Sequence, residues 1–221
     1  MDNDHGSALR DSSQRKHFGM RKQTHDQRLK QILQAATELI GKYGFYGTSL
    51  HQIADAVGMT NAGVLHYVKN KNELMTMVLE STYDADNPVW RFLRGSSTID
   101  GKDAESAPMH IPVLYRRTTE INESRPDMVR LFSVLSAEAL QPTHPAHDYF
   151  LRREDVLWRQ FSRIDWKVPP GTDLENVFAT ANSAMDGIQL RWLRDDSIPL
   201  TKLWSRCEGI IFPSPLWDDY R

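Results

Sequence analysis

The sequence predicts an all-α fold, in which a small three-helix unit precedes a larger helical body. Apolar side chains recur every three or four residues through most of the 221-residue chain, which is the spacing of one helix face. No stretch alternates apolar and polar residues strongly enough to predict a β-strand. Glycines and prolines separate the helical stretches, and no internal repeat is visible.

The first predicted helix covers residues 26–43. Ile32, Ala36 and Leu39 begin its apolar stripe, and Gly44 follows it as a typical end signal.

Residues 49–71, SLHQIADAVGMTNAGVLHYVKNK, predict two short helices joined by a tight turn. Ser49 and Gln52 have the spacing of a capping box at the start of the first helix. Gly58 follows the last apolar residue, where a left-handed backbone conformation ends many helices. Thr60 can cap the second helix. A helix-turn-helix of this kind is a device for reading DNA.

Residues 32–78 resemble the N-terminal DNA-binding domain of the TetR family of transcriptional regulators. The resemblance rests on ILQAATELI, YGFYGTSL, IADAVGMT and HYVKNKNEL, read in that order. Many members of the family carry a hydroxyl residue and an aromatic residue where this chain has Gly63 and Leu65. An unrelated three-helix bundle with a glycine turn is the alternative interpretation.

The resemblance implies a sequence-specific, DNA-binding transcriptional regulator. In its simplest form this is a ligand-responsive homodimeric repressor on a palindromic operator, because two heads on a two-fold axis read two half-sites. A DNA-binding architectural protein without sequence specificity and an activator stay open as alternatives. The sequence contains no catalytic motif, so an enzyme is not expected.

The resemblance places eight polar or aromatic side chains on or beside the DNA. Asn61 is expected to hydrogen-bond base edges, whereas Tyr67 and Lys71 suit phosphates. Packing is the alternative role for Tyr67, and plain solvation is the alternative for Lys71. The full set is Thr48, Ser49, His51, Thr60, Asn61, His66, Tyr67 and Lys71.

The remaining sequence predicts a helical body and three regions along the chain. The predicted helices cover 71 to about 83, 112–123, 128–140, 146–164, 173–193 and a last one that begins at Pro199. The predicted regions are a flexible basic arm at 1–25, a DNA-binding domain at 26–86 and an effector-binding and dimerisation domain at 87–221. The arm is interpreted either as a disordered tail or as a segment that touches phosphates or the minor groove.

The body is expected to bind a small molecule and a second copy of the chain. The candidate pocket residues are Met109, Tyr115, Met128, Phe132, Trp158, Phe161 and Met185, with plain hydrophobic core as the alternative. Few charged residues fall on the inward stripes, which predicts an apolar or aromatic ligand. The candidate dimer residues are Val177, Ala181, Ala184, Ile188, Trp192 and Leu203, with packing inside a single chain as the alternative.

Composition narrows the class of protein. Apolar residues make up 40% of the chain and charged residues 25%, which is typical of a globular protein and excludes a disordered one. Residues 1–78 carry 10 Lys and Arg against 7 Asp and Glu, whereas residues 79–221 carry 17 against 22. A basic head and an acidic remainder suit a DNA-binding protein.

No cofactor, metal or membrane is expected. His144, His147 and Asp148 could form part of a metal site, but their place between prolines favours a helix start. No apolar run reaches the roughly 20 residues that a membrane helix needs. The single cysteine, Cys207, fits a reducing compartment, so a cytoplasmic location is expected.

Overall fold

A computed structural model describes residues 24–80 and 110–221 of the chain. The described part is helical and contains no β-strand, so the predicted all-α fold is confirmed. Its helices are α1 (His25–Gly47), α2 (Leu50–Ala56), α3 (Asn61–Leu65), α4 (Lys71–Met77), α5 (Ile111–Glu123), α6 (Pro126–Glu138), α7 (His147–Phe161), α8 (Leu174–Arg194) and α9 (Leu200–Ile211). The predicted boundary at residue 86 and Met109 lie outside the described residues, and so do residues 1–23 of the predicted arm. Thr24 and His25, the last two residues of that arm, are described.

The N-terminal helices form where local signals begin and end them. Thr24 makes a capping box with Gln27 at the start of α1, and Ser49 makes the predicted one with Gln52 at the start of α2. Helix α1 runs past its predicted end, but Gly44 breaks it with φ of 77° and ψ of 171°. Almost only glycine adopts that conformation. The regular helix therefore ends at Gly44, as the sequence predicted, and one further turn follows the break.

The first hydrophobic core joins the N-terminal helices to α6. Ile32, Ile53 and Leu74 are buried in the same cluster as Leu131 and Leu135 of α6. Helices α1 and α6 approach so closely that a Cβ on Gly41 would lie 3.3 Å from the Leu131 backbone nitrogen. The head formed by α1–α4 is therefore completed by a helix that the sequence assigned to the other domain.

The second core belongs to the body. Residues of α5, α7, α8 and α9 meet there, together with Trp166 and the C-terminal Trp217. Tyr115 stacks on Trp204 with ring centroids 5.3 Å apart, which ties α5 to α9. A smaller third cluster connects Val129 of α6 with Trp192 of α8.

An ion pair fastens the last helix to α5. The buried carboxylate of Glu208 accepts hydrogen bonds from Arg116 Nε at 2.9 and 3.0 Å, and Arg221 lies 3.5 Å away on the other side. The hydrogen bond with Glu208 raises the pKa of the Arg116 guanidinium. Paired in this way, a charge can be buried without an unsatisfied group.

The body helices follow the prediction with small shifts at their ends. Pro126 occupies the first turn of α6, and Asp173, the first residue of the predicted helix, caps α8. Helix α7 ends at Phe161, three residues before the predicted end. The Trp166 indole N–H donates to the Phe161 carbonyl at 2.8 Å and turns the chain back into the second core.

Candidate nucleic-acid interface

The turn between α2 and α3 is a Schellman motif. Gly58 has φ of 65°, which is the left-handed conformation expected from the sequence. The Met59 amide donates to the Ala54 carbonyl at 2.9 Å, and the Gly58 amide donates to the Asp55 carbonyl at 3.1 Å. These two bonds satisfy the last carbonyls of α2 and set the direction in which α3 leaves.

Side-chain caps fix the beginnings of α2 and α3. The Ser49 hydroxyl accepts from the Gln52 amide at 3.2 Å, and the Thr60 hydroxyl accepts from the Gly63 amide at 3.0 Å. Both residues are exposed, so they stand on the surface where DNA contacts were predicted, but their oxygens already serve the helices. A Cβ on Gly63 would lie 3.2 Å from Met59 Cε, so this glycine lets the turn pack on α3.

Helix α3 presents a mixed surface to solvent. Val64 is fully buried and anchors the helix in the first core. Asn61, Ala62, Leu65 and His66 are exposed. Since positions three and four apart share a helix face, the Asn61 amide, the Ala62 methyl and the Leu65 side chain lie side by side. The exposed leucine is a feature that the sequence interpretation had not assigned to any contact.

His51 lies on the neighbouring surface of α2. Its Nε2 is 3.6 Å from Asp55 Oδ2 one turn further along, and both side chains are exposed. The His51 ring is therefore exposed to solvent on α2, and its role near the phosphate backbone stays a prediction.

Two of the predicted DNA contacts are internal structural contacts instead. Thr48 is buried, and its hydroxyl donates to the carbonyls of Gly44 at 2.9 Å and Leu39 at 3.1 Å. Lys71 Nζ donates to the carbonyls of Phe45 and Thr48, both at 2.8 Å. The ammonium also lies 4.1 Å from the centre of the Phe45 ring.

These placements correct the predicted roles of Thr48 and Lys71. Burial lowers the pKa of Lys71, and its charge is directed into the end of α1 and not towards solvent. Sequence patterns alone miss this contact because Lys71 and Phe45 are 26 positions apart.

Tyr67 is half-buried and packs between two histidines. Its ring centroid lies 4.7 Å from that of His25 and 5.7 Å from that of His66. Tyr67 therefore has the packing role that was its alternative. Its ring contacts connect the start of α1 with the end of α3. His25 was not predicted as part of this surface, because no local signal pairs it with residue 67.

The junction between head and body centres on Glu138. Its carboxylate accepts from the Phe45 amide at 2.8 Å, directly after the break at Gly44. His144 Nε2 lies 3.6 Å from the same carboxylate oxygen, and the His144 ring meets the rings of Phe45 and Tyr46 edge-on. The end of α6 and the loop after it thus hold the end of α1.

The histidines of this loop each engage a backbone group through Nδ1. His144 Nδ1 accepts from the Ala146 amide at 3.1 Å, and His147 Nδ1 lies 2.7 Å from the Ala139 carbonyl. Among residues 24–80 and 110–221, no three His, Cys, Asp or Glu side chains are grouped to hold a metal ion.

The predicted pocket residues divide between two cores. Met128 and Phe132 belong to the first core, whereas Tyr115, Phe161 and Met185 belong to the second and Trp158 packs against it. The described members of this set are therefore divided between the two cores. Burial raises the pKa of Tyr115 far above its ordinary range, so its hydroxyl stays protonated beside Asn182.

A separate cavity of about 260 Å³ opens between α6, α7 and α8. Phe132 and Phe178 contribute aromatic walls, while Arg153, Asn182 and Asp186 contribute polar groups. Of the predicted pocket residues that the structure describes, Phe132 lines this cavity.

The predicted dimer residues face the interior of their own chain. Ala181, Trp192 and Leu203 are buried, and Val177, Ala184 and Ile188 pack against the same clusters. These residues lie on the apolar stripes of α8 and α9, and those stripes face the core of the same chain. The outward face of α8 and α9 carries the 81% exposed Ile210, the 43% exposed Leu190 and, at Gly187 and Gly209, open space above the backbone.

Comparison with known proteins agrees with the arrangement of the N-terminal helices. Residues 32–78 match the family model described as bacterial regulatory proteins, tetR family. The HTH-type transcriptional regulator RutR of Escherichia coli (strain K12) is 29% identical over 115 residues, which are 52% of this chain and 50% of RutR. The chain thus spans about half the length of the curated relatives it matches.

Solved structures share the fold over most of the chain. The fatty acid degradation regulator FadR from Bacillus halodurans has a TM-score of 0.55 at 15% identity, covering 88% of this chain and 98% of that one. NalD of Pseudomonas aeruginosa, the secondary repressor of the MexAB-OprM multidrug efflux pump, has a TM-score of 0.59 at 20% identity, covering 86% and 96%. RutR is thus a transcriptional regulator, FadR a regulator of fatty acid degradation and NalD a repressor.

No helix in residues 24–80 and 110–221 is both long enough and apolar enough to cross a membrane.

Proposed function

Since this chain belongs to the TetR family of bacterial regulatory proteins, we propose that it regulates transcription by sequence-specific binding to an operator. The exposed surface of α3, which follows the Schellman turn, carries this proposal. Asn61 stands exposed at the start of α3, where a carboxamide can form two hydrogen bonds with adenine in the major groove. The bacterial cytoplasm, where the chromosome lies, is the proposed location.

Selection of bound sites from random duplex DNA tests this function. An enriched sequence that the protein protects from cleavage would support a specific regulator. Asn61→Ala should then relax the base preference at one position and lower affinity for the selected site by about 1–3 kcal/mol. Asn72→Ala, which changes an exposed asparagine on α4, is the matched control.

Uniform binding to all sequences at moderate salt would contradict specific regulation and support a non-specific architectural role. In transcription reactions with the selected site at a promoter, a repressor lowers the amount of transcript. A rise in transcript would identify an activator.

We propose that two copies pair through the outward faces of α8 and α9. Ser183, Gly187 and Leu190 form one exposed stripe on α8, and exposed Ile210 extends it onto α9. Small residues beside a large apolar one allow two helices to approach closely and bury the apolar side chains. Such a dimer presents two α3 helices to two half-sites, which predicts a near-palindromic operator.

Ile210→Glu tests the pairing, because it places a charge in the middle of the proposed interface. The expected result is a shift from dimer to monomer in sedimentation measurements at micromolar concentration. Leu140→Glu is the control, since Leu140 is equally exposed at 79% but lies just beyond the end of α6. A dimer that survives the Ile210 change would contradict this interface.

We propose that a small effector binds in the cavity between α6, α7 and α8. Its lining combines phenylalanine rings with Arg153, Asn182 and Asp186, which suits a small molecule with an aromatic or apolar part and several hydrogen-bonding groups. The sequence predicted an apolar or aromatic effector, and the lining of this cavity adds hydrogen-bonding groups to that description.

Helix α6 offers a path from this cavity to the head. Phe132 and Ser136 line the cavity, and Glu138 at the end of the same helix holds the Phe45 amide. A ligand that shifts α6 would therefore move the end of α1 as well. By linkage, operator DNA must weaken effector binding by the same factor as effector weakens operator binding.

A compound screen for release of labelled operator tests the cavity. Compounds that release wild-type protein should lose their effect on Asn182→Leu, which narrows the cavity and removes its amide. Asn176→Leu on the exposed side of α8 should respond like the wild type. Equal release from both variants would place the effector elsewhere.

The N-terminal segment is proposed to add phosphate contacts. Residues 24–80 carry five basic and five acidic side chains, so the basic excess of the head lies in residues 1–23. Deleting residues 1–23 leaves the Thr24 cap in place and should reduce the salt dependence of DNA binding. An unchanged salt slope would assign these residues no role in binding.

A further inference from the structure

We propose that Leu65 is a specificity-determining residue that selects thymine by contact with its C5-methyl group. This inference rests on the proposed function, since it concerns the DNA surface of α3. It commits the half-site to an A·T pair at the position that Leu65 faces.

Leu65 is exposed on α3 and lies outside the hydrophobic cores. Its side chain is 43% exposed, although Val64 beside it is fully buried. Among the described residues, Leu65 belongs neither to a core cluster nor to the half-buried side chains that pack on one. A half-exposed leucine outside the core clusters, on the helix that is proposed to enter the groove, is available for a contact outside the protein.

The neighbours of Leu65 are the second argument. Asn61 and Ala62 lie four and three positions earlier on the same exposed face, so one face carries a carboxamide and two apolar groups. In the major groove, a carboxamide pairs with adenine, and the thymine methyl is the one apolar group on any base edge. Both halves of this face therefore suit an A·T pair.

Helix α3 lacks the basic side chains that usually contact guanine. Arginine and lysine are the usual partners of guanine, and none occurs between Thr60 and Tyr67. Glycine at position 63 adds no side chain, and the Thr60 hydroxyl is occupied as a cap. The chemistry of this face favours adenine and thymine over guanine.

Replacing thymidine by deoxyuridine isolates the methyl group, because the two nucleosides differ in nothing else. The experiment begins with the site selected from random DNA and exchanges each thymine for deoxyuridine in both half-sites. Dissociation constants are measured for wild-type protein, Leu65→Ala and Leu151→Ala. Leu151 is an exposed leucine of α7 in the body and serves as the control.

At one thymine in each half-site, wild-type protein should lose about fourfold in affinity per half-site when the methyl is removed. Leu65→Ala should bind thymine and deoxyuridine at that position equally well, whereas Leu151→Ala should behave like the wild type. The comparison between proteins cancels any effect of the methyl on DNA stiffness. Leu65→Ala should remain folded, because the residue is largely outside the core and alanine favours helix.

The two proposals fail in different ways. If no thymine shows a methyl effect that Leu65→Ala abolishes, although a specific site was selected, the role of Leu65 is wrong and the regulator remains. If no site is enriched at all, the proposed function is wrong and the role of Leu65 falls with it.

Discussion

At the scale of single residues, Lys71 shows how a charge can serve the fold on a surface that otherwise suits DNA. Its ammonium satisfies two backbone carbonyls at the end of α1 and lies over the Phe45 ring. The Phe45 carbonyl also accepts from the Thr48 backbone N–H at 3.3 Å, so Lys71 is its second donor. The Thr48 carbonyl lies just beyond the helix end, where carbonyls lack partners within the helix and a long basic side chain can supply one. Lys71 therefore holds α4 against the end of α1.

Lys71→Met should lower the free energy of unfolding by about 1–3 kcal/mol, because it leaves two partly buried carbonyls without their charged donor. Urea denaturation measures this loss. Lys69→Met is the control: Lys69 is 86% exposed and pairs with Glu73 at 3.7 Å, so its removal should cost less than about 1 kcal/mol.

The same pair of variants separates folding from DNA contact. A lysine on a phosphate would reduce the slope of log affinity against log salt by about 1 when removed. For Lys71→Met we expect an unchanged slope. A reduced slope at unchanged stability would restore Lys71 to the DNA surface.

At the scale of helices, two charged clusters connect elements that are distant in sequence. Glu208 on α9 binds Arg116 on α5 and Arg221 at the C-terminus. Glu138 on α6 binds the end of α1, with His144 packed behind it. Each cluster fixes the orientation of a helix whose apolar stripe could tolerate some rotation.

Glu208→Gln should destabilise the body by about 1–3 kcal/mol, since it leaves Arg116 without its counter-charge, whereas Arg221 keeps Asp218 at 3.4 Å. The value is below the 3–5 kcal/mol typical of a broken, fully buried pair because the Arg116 side chain is 41% exposed. Thermal and urea unfolding measure it. Glu120→Gln, which changes the exposed partner of Arg117 on α5, should have little effect.

The junction makes stability depend on pH through His144. Burial lowers its pKa below the ordinary 6.5, against the pull of Glu138, and Lys71 adds to the lowering. The folded protein therefore binds this proton less readily than the unfolded chain does. The contribution of neutral His144 is full above about pH 6.5 and is lost as the pH falls towards the lowered pKa.

His144→Asn keeps an acceptor for the Ala146 amide but does not titrate. Between pH 7.5 and 5.5, wild-type protein should lose more unfolding free energy than the variant does, as measured by urea denaturation. The difference between the two proteins removes the contributions of all other titrating groups. Equal losses would show that His144 does not titrate differently on folding.

At the scale of the whole molecule, head and body share one core. Helix α6 follows the predicted domain boundary by about 40 residues, yet Leu131 and Leu135 are fully buried among head residues. A change in the body can therefore reach the DNA-binding surface through packing alone. The proposed effector response requires such a connection.

Leu131→Ala should cost about 2–5 kcal/mol, as is typical for a fully buried leucine. Hydrogen exchange should show faster opening in α1 and α4 as well as in α6. Leu151→Ala, at a 63% exposed position of α7, should leave both stability and exchange nearly unchanged. Loss of protection confined to α6 would indicate that the head is stable by itself.

Much of this protein follows from short stretches of its sequence. The capping box at Ser49, the left-handed Gly58 and the Thr60 cap were each predictable, because a helix end is decided by the few residues around it. Helical periodicity likewise predicted the helices of the body to within a few residues. The similarity of residues 32–78 to one family supplied the interpretation of these elements as a DNA-binding head.

Only the tertiary structure determined which neighbours contact each inward-facing side chain and which outward-facing side chains stay exposed. Periodicity shows that one helix face is apolar but does not show which neighbour covers it, so it could not show that the predicted pocket residues divide between two cores. Phe45 and Glu138 are 93 positions apart, and no local pattern records their contact. Helix ends depend on neighbours in sequence, whereas burial, ion pairing and exposure, including that of Leu65, depend on neighbours in space.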